Sequence, residues 1–360
     1  MTSLDIARQR LLNQHIALAT FMKPSDEVSW LGAVQAQDYA GAKWALGLRL
    51  QAATDGDVEQ AFTAGTILRT HLMRPTWHFV TPADICWMLA LTAPRVHAVN
   101  AYYYRKLELD QKTFTRSNSA LEKALQGGKQ LTREELRTIL RRAGIATDGE
   151  LRMGYIMMRA ELDGIVCSGP RHGKQFTYTS LDERAPQART LERDEALAEL
   201  ARRYFLSRGP ATLQDFVKWS GLTTIDARKG LEVVKAQLNH EVVDGQTYWF
   251  PTTMTPAKER SPRAYLLSIY DEYVSGYKDR SAIGDAKLSA KLIAMGNALN
   301  YIIVVDGQIV GTWKRSVRKD SVSIETNLFT SLSKAEIRAV ALAAQQYGEF
   351  LGLPIMLNSP

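Results

Sequence analysis

The run from Thr132 to Thr179 decides how the chain reads. Thr132-Arg-Glu-Glu135 has the spacing of a capping box and opens a helix through Leu136, Ile139 and Leu140. Gly144 stops that helix. A second helix follows Asp148, with Leu151, Tyr155, Met158 and Leu162 on one face, and Gly164 ends it. Ile165 to Cys167 and Gln175 to Thr179 then read as two strands around Gly169-Pro-Arg-His-Gly173. Helix, glycine turn, helix, hairpin is the layout of a winged helix-turn-helix, although a helix-turn-helix with a glycine also occurs outside DNA binders.

Downstream the same plan returns. Thr212-Leu-Gln-Asp215 places an N-cap and a carboxylate three residues on. Phe216 and Trp219 supply an apolar face, Gly221 the turn, and Thr223 caps a helix through Leu231, Val234 and Leu238. Glu241 to Val243 and Thr247 to Phe250 flank Asp244-Gly245, a dipeptide that favours the type I′ hairpin turn.

Upstream the signals are weaker. Ile6 to Leu18 reads as a helix. A second starts at Ser25, with Asp26 and Glu27 in its first turn and Trp30, Leu31 and Val34 at helical spacing. Trp44 to Leu50 reads as a strand, and Val58 to Phe62 as a short helix after Asp55-Gly-Asp57. Ile67 to Leu72 and Thr76 to Val80 form a hairpin pattern around Met73-Arg74-Pro75. Beyond 263 the pattern changes. Tyr301 to Val305 and Gln308 to Trp313 are strands joined at Asp306-Gly307, Val322 to Glu325 alternates, and Ser333 caps a helix over Ala335 to Phe350. The expected architecture is α+β: three tandem winged helix-turn-helix units over 1–100, 101–190 and 191–255, then a β-rich α+β domain over 263–360. Helix-breaking stretches at 180–190 (Pro186) and 251–263 (Pro251, Pro256, Pro262) mark the later boundaries.

The 360 residues carry 45 Lys+Arg against 38 Asp+Glu. The surplus is local. Residues 1–100 hold eight basic and eight acidic side chains, 101–190 hold sixteen and eleven, and 191–360 hold twenty-one and nineteen. A localised surplus points to an anionic partner, and nucleic acid is the first candidate. Cys86 and Cys167 make no disulfide framework and have no Cys-x-x-Cys partner, which argues for a reducing compartment and against a zinc module. No apolar run reaches the ~18–20 residues of a membrane helix, and Met1 to Asp5 lack the basic-then-apolar layout of a signal peptide. A cytoplasmic protein without a membrane partner is expected.

Four motifs carry a resemblance. They are Gln35-Ala36-Gln37; Arg69-Thr70-His71 with Arg74-Pro75-Thr76-Trp77-His78 on the first hairpin; Asp271-Glu272-Tyr273 through Arg280; and Asp306-Gly307 through Gly311-Thr312-Trp313. Their order and spacing resemble the AlkZ-like family of bacterial DNA glycosylases over nearly the whole chain. The resemblance implies three winged helices and a C-terminal β-rich domain around a basic channel for duplex DNA. It implies excision of N7-alkylated guanine, in some members from interstrand crosslinks. Gln35 and Gln37 match the family's catalytic pair, with Ala36 at its apolar middle position. Ala36 is smaller than the aliphatic residue often found there. It implies a nucleoid-associated enzyme of the bacterial cytoplasm.

The chemistry is compatible with neutral residues. A glutamine amide is no general base near neutral pH, but its acceptor and two donors can orient a water. An N7-alkylguanine is already cationic, so its glycosidic bond needs positioning and charge stabilisation more than acid catalysis. No lysine nucleophile is required, and a monofunctional glycosylase that leaves an abasic site is expected. Spacing sets a condition. Side chains two apart on a helix point to nearly opposite sides, whereas two apart on extended chain share a side. Gln35 and Gln37 can share a site only if the helix has ended or distorted there.

Asp38 adjoins the pair and is an accessory candidate as base or charge stabiliser, against the plainer reading of a solvated acid. His71 and His78 are accessory candidates, seven apart and so on opposite sides of a continuous strand. They lack the ligand count and spacing of a metal site, and no metal or cofactor is expected. Arg69 and Arg74 are candidate phosphate contacts, as are Arg141, Arg142, Arg171, His172 and Lys174 in the most basic block. Lys314, Arg315, Arg318 and Lys319 surround a turn of the C-terminal domain and are the remaining DNA-binding candidates. Asp271 and Arg280 are expected to form a buried ion pair, and Tyr102 to Tyr104 a domain interface. A non-catalytic winged-helix DNA-binding protein or transcription regulator is the second function class. A regulator usually dimerises to match half-sites, and the sequence has no heptad run to build a dimer, so a monomer is expected.

Overall fold

Twice the chain follows the same path of helix, short strand, two helices and hairpin, and a third time with a single bridging residue in place of the short strand. This computed structural model describes residues 1–253, 262–284, 288 and 301–358. After α1 (Ser3–Asn13), the first pass is α2 (Pro24–Leu31), β1 (Val34–Gln35), α3 (Tyr39–Gly47), α4 (Asp55–Ala64), β2 (Leu68–Leu72) and β3 (Arg74–Val80). A 22-residue helix, α5 (Ile85–Lys106), leads to the second pass. That pass is α6 (Gln111–Leu125), β4 (Leu131–Thr132), α7 (Arg133–Arg142), α8 (Glu150–Leu162), β5 (Val166–His172) and β6 (Gln175–Ser180), followed by α9 (Leu181–Arg184). The third is α10 (Arg193–Arg208), α11 (Leu213–Ser220), α12 (Thr224–Val234), β7 (Leu238–Val243) and β8 (Gln246–Pro251).

The three passes also share their strand order. The short strand pairs with the second strand of the hairpin, giving β1-β3-β2 and β4-β6-β5. In the third pass Ala211 alone takes that place, bridged antiparallel to Trp249 of β8. Each pass contains a helix opened by a capping box, at Thr54 and Asp57, Thr132 and Glu135, and Thr212 and Asp215. Two backbone donors per box are satisfied reciprocally, so these helix starts are set by sequence alone. Gly221 ends α11 with φ 70°, and a Cβ there would lie 2.4 Å from the Met73 carbonyl oxygen. Only glycine permits both the left-handed turn and that approach of the third pass to the first hairpin.

The C-terminal part is a five-stranded sheet in the order β13-β12-β11-β10-β9. Its strands are β9 (Ala264–Leu267), β10 (Ile302–Val305), β11 (Gln308–Val317), β12 (Val322–Leu328) and β13 (Ile355–Asn358), with α13 (Glu272–Ser275) after β9. The β12–β13 pair is parallel and the rest are antiparallel. The last helix, Lys334–Leu351, packs on this sheet.

The first pass is wedged between the other parts. One core cluster joins Trp44, Leu46 and Phe62 to Ile303, Trp313 and Tyr347 of the C-terminal part. Another joins Leu68, Val80 and Trp87 to Leu197, Phe216 and Trp219 of the third pass. The second pass keeps a core of its own around Phe114, Leu121, Leu140 and Ile156. Burying this much aromatic and aliphatic area, at about 25 cal/mol per Å², holds the first pass in a fixed frame.

Several sequence expectations need correction. Trp44 to Arg49 is helical or turn, not strand, and Leu50 makes only an isolated parallel bridge to Phe21; Gly41 through Leu50 are all buried. A run buried on every side carries no periodicity to separate helix from strand. Val34 is in β1 rather than a helix, since Gly32 turns the chain at φ 76° after Leu31. The first helix stops at Asn13 rather than Leu18, with His15 at φ 57°. The first hairpin turns at Met73, φ 60°, so Arg74 and Pro75 belong to β3. Tyr102 to Tyr104 lie on α5, where Tyr103 stacks on Tyr155 of α8 with ring centroids 5.2 Å apart. Pro256, within the expected 251–263 break, lies outside the described residues. Among the described residues no helix is long and apolar enough to cross a membrane.

Candidate active site

Gln35 stands opposite His78 in the β1–β3 ladder. Ala36 is fully buried; its N–H donates to the Trp77 carbonyl at 2.7 Å and its carbonyl accepts Arg69 Nε at 3.1 Å. Gln35 is half-buried and Gln37 exposed, and the Trp77 N–H points at Gln37 Oε1 across 3.4 Å. Ala36 belongs to the core cluster under α3 and α4. With the middle methyl turned into the core, strand alternation turns Gln35 to the opposite side, and Gln37 lies past the end of β1, in the bend that leads into α3. No helix runs through 35–37, so the geometric condition for a shared site is met.

A buried carboxylate fixes the strand from behind. Glu272 of α13 accepts the Gln35 backbone N–H at 3.0 Å, Arg208 Nη2 at 2.8 Å and the Trp219 indole N–H at 2.9 Å. Burial alone would raise its pKa, but Arg208, the Gln35 N–H and Arg74 outweigh burial and bring it to about 2. Arg208 also donates to the carbonyls of Leu31 and Ala33, so it clamps the segment entering β1. His78 is fully buried. It is lowered to about 3 by burial and then by Arg74, whose Nη2 lies 3.3 Å from its Nε2, while its Nδ1 lies 2.9 Å from the Thr76 carbonyl. Nδ1 therefore carries the hydrogen and His78 is neutral.

The other candidates fall into two groups. Arg74 is turned inward onto the Trp219 and Lys218 carbonyls. Arg69 is buried between Trp77 and Phe176, its guanidinium carbon 4.4 and 4.6 Å from the ring centroids, and burial lowers it to about 10. Arg171 pairs with Glu59 of α4 at 3.4 Å and lies over Tyr39. His71 is buried against Trp77, with ring centroids 4.2 Å apart, and its Nδ1 meets the buried Glu161 of α8. These side chains stitch the passes together. By contrast Arg141, Arg142, His172, Lys174, Lys314, Arg318 and Lys319 are exposed, although Arg141 also reaches Thr147 and Asp148.

Asp38, one residue past the pair, takes a hydrogen bond from the Tyr301 hydroxyl and lies 3.9 Å from Arg315 Nη2. Arg315 is therefore turned back toward β1, unlike its neighbours on the hairpin. Asp271 pairs with Arg49, at 2.8 and 2.9 Å, and not with Arg280, which donates to the Val274 carbonyl. Among the described residues no group of three or more His, Cys, Asp or Glu is placed to hold a metal ion.

Comparison with known proteins decides the family. The family model described as DNA glycosylase AlkZ-like matches residues 28–350. The chain belongs to the AlkZ-like DNA glycosylase family. It is a DNA glycosylase, a hydrolase of N-glycosyl bonds. It is similar to the interstrand DNA cross-link repair glycosylase of Streptomyces sahachiroi, 26% identical over 321 residues, covering 85% of each chain. In fold it matches the solved structure of Streptomyces sahachiroi DNA glycosylase AlkZ, with a TM-score of 0.79 and 22% identity, over 99% of this chain and 100% of that one.

Within this AlkZ-like chain, sequence reasoning missed Glu272, Arg208, Trp219 and Tyr301 as supports of the glutamine strand. Glu272 stood inside a quoted motif, Asp271-Glu272-Tyr273. Its partner Arg208 is 64 residues away, and no local pattern connects the two.

Proposed function

We propose that this glycosylase hydrolyses the N-glycosidic bond of an N7-alkylated guanine in duplex DNA, with Gln35 and Gln37 holding the attacking water. One observation carries the reading. The half-buried Gln35 and the exposed Gln37 bracket the buried Ala36 with no helix running through them, which leaves both amides free to reach one side. Amides suit this substrate. The leaving base is already cationic, so an oriented water and a polar lining for the developing oxocarbenium are sufficient help. Glu272 and Arg208 fix the strand's backbone, and the neutral His78 opposite Gln35 adds no cation to a site that must accept one. With no amine required as nucleophile, the product is an abasic site.

The three passes serve in this reading as tandem winged helices over 1–100, 101–190 and 191–255, ahead of the domain over 263–360. Their exposed cations would track DNA phosphates, which position the duplex without reading its sequence. The relative that repairs interstrand crosslinks makes a bulky or crosslinked N7-guanine adduct the substrate to try after N7-methylguanine. The protein acts as a monomer on the DNA of the bacterial nucleoid.

The test is base release from a duplex containing N7-methylguanine, followed by chromatography. Gln35→Ala and Gln37→Ala each lower the single-turnover rate by about 10²–10³-fold, the scale for removing one preorganised polar group. Wild-type release that both variants match would end the glutamine-pair reading. Sequence-specific binding with no release would favour a regulator.

A further inference from the structure

Asp38 begins α3 but does not cap it. It stands at the N-cap in extended conformation, φ −92° and ψ 101°, yet its carboxylate takes no N–H of the helix. An Asp at that position ordinarily bonds the N2 or N3 amide. Here the carboxylate is drawn elsewhere. Tyr301, 263 residues away, donates its hydroxyl to Asp38 Oδ2. Arg315 Nη2 donates to the Tyr301 hydroxyl at 3.2 Å and lies 3.9 Å from Asp38 Oδ2. The Tyr347 hydroxyl of the last helix takes Arg315 Nη1. Gly41 leaves room for this placement, since a Cβ there would lie 2.6 Å from Asp38 Oδ2.

Both ends of this chain of contacts are informative. At one end, Asp38 is bonded through one peptide link to Gln37. At the other, Arg315 is on β11, opposite Ile324 of β12. The exposed Lys314, Arg318 and Lys319 surround it on the same hairpin. The turn at 318–321 closes with the Arg318 N–H on the Ser321 carbonyl at 2.9 Å. It begins three residues beyond Arg315, about 10 Å at strand rise. One cation of four is thus turned back toward the glutamine strand while three face solvent.

We infer that Asp38, Tyr301 and Arg315 form a polar latch that ties the Gln37 segment to the base of the C-terminal hairpin. DNA held by the hairpin cations thereby sets the position of Gln37. Tyr301 and Arg315 are positioning residues in this account. They touch Asp38, not the reacting atoms. The catalytic consequence rests on the glutamine-pair reading above; the mechanical link between hairpin and Gln37 segment does not.

The experiment separates the two. Amide exchange of the 35–41 segment is followed with and without undamaged duplex. In the wild type, duplex slows exchange there by about tenfold, and in Tyr301→Phe it does not, while duplex Kd stays within about twofold. Arg315→Lys, which keeps the charge and loses the planar fork, behaves like Tyr301→Phe and serves if the first variant unfolds at a lower temperature. Equal slowing in wild type and both variants overturns the latch.

In the second arm, excision of N7-methylguanine is measured under single turnover with enzyme in excess. Both latch variants lower the rate about tenfold without weakening binding, the signature of lost positioning rather than lost affinity. If the exchange result holds and the wild type releases no base, the latch stands and the glutamine-pair reading falls. If both variants lose exchange protection but excise at the wild-type rate, the latch does not position Gln37 and the inference is overturned.

Discussion

Glu272 Oε1 accepts the backbone N–H of Gln35 at 3.0 Å across 237 residues of sequence. The carboxylate is buried and its second oxygen holds both Arg208 and Trp219. Position of the glutamine strand and stability of the fold therefore depend on one ion pair. Glu272→Gln leaves the Arg208 cation buried without its partner, an arrangement that costs about 3–5 kcal/mol. The urea midpoint of Glu272→Gln should fall accordingly. An unchanged midpoint would show that Arg208 finds another anion or that water enters. Glu272→Asp, which keeps charge but shortens reach, should fall between the two.

The pH dependence of stability follows from His78 and Glu272 together. His78 has its pKa lowered from 6.5 to about 3 in the folded state, by burial and then by Arg74. Between those values the unfolded chain binds a proton that the folded chain refuses, so stability falls as pH drops from about 6.5 toward 3. Glu272, lowered from 4.5 to about 2 against the pull of burial by Arg208, acts with the same sign at lower pH. Its contribution is complete above about 4.5 and is lost as pH falls toward 2. The wild-type Tm should therefore drop between pH 6.5 and 4.5 before Glu272 matters. His78→Asn should flatten that upper limb and leave the lower one. A parallel pH profile in the variant would assign the upper limb to another group.

Gly221 and Gly173 offer a contrast in what a methyl group meets. Both have positive φ, 70° and 59°. Alanine at either pays the left-handed penalty of about 1–2 kcal/mol. At Gly173 nothing lies within 4 Å of the added Cβ, whereas at Gly221 the Met73 carbonyl oxygen is 2.4 Å away. Gly221→Ala should destabilise clearly more than Gly173→Ala by equilibrium denaturation. Equal losses would mean that the third pass can withdraw from the first hairpin without cost.

Much of the repeat was legible because its signals are local. Capping boxes at Thr132 and Thr212, turn glycines at 144, 164 and 221, and Asp244-Gly245 each fix a start, a stop or a reversal within four residues. Gln35-Ala36-Gln37 stood out in the sequence through its family pattern, and the end of α2 just before it follows from Gly32. What stayed hidden is non-local. The short strands β1 and β4 hold two residues each and are defined only by their hairpin partners. From Gly41 onward α3 is buried on all sides, so its period is erased. Glu272 with Arg208, and Asp38 with Tyr301, are pairs that only the folded chain brings together. Charge was the least reliable guide. Arg69, Arg74, Arg171 and Arg315 look like their neighbours in sequence, yet the fold turns their guanidinium groups onto carbonyls, rings and carboxylates.

That division of the cations leads to a measurement. Neutralising a phosphate contact reduces the slope of log K against log salt by about 0.9 per contact on B-form DNA. Lys314, Arg318 and Lys319 are exposed on one hairpin, and His172 and Lys174 are exposed at the tip of another. Lys314→Gln, Arg318→Gln and Lys319→Gln combined should reduce the slope by about two to three and leave Tm within a degree or two, because solvated surface charges contribute little to stability. Arg74→Gln should do the reverse. Its guanidinium donates to the Trp219 and Lys218 carbonyls and approaches His78, so its loss leaves buried acceptors unsatisfied at about 1–3 kcal/mol while the salt slope stays put. If Arg74→Gln instead lowers the slope by about one with Tm preserved, the side chain swings out to phosphate when DNA binds, and the interior arrangement is that of the free protein alone.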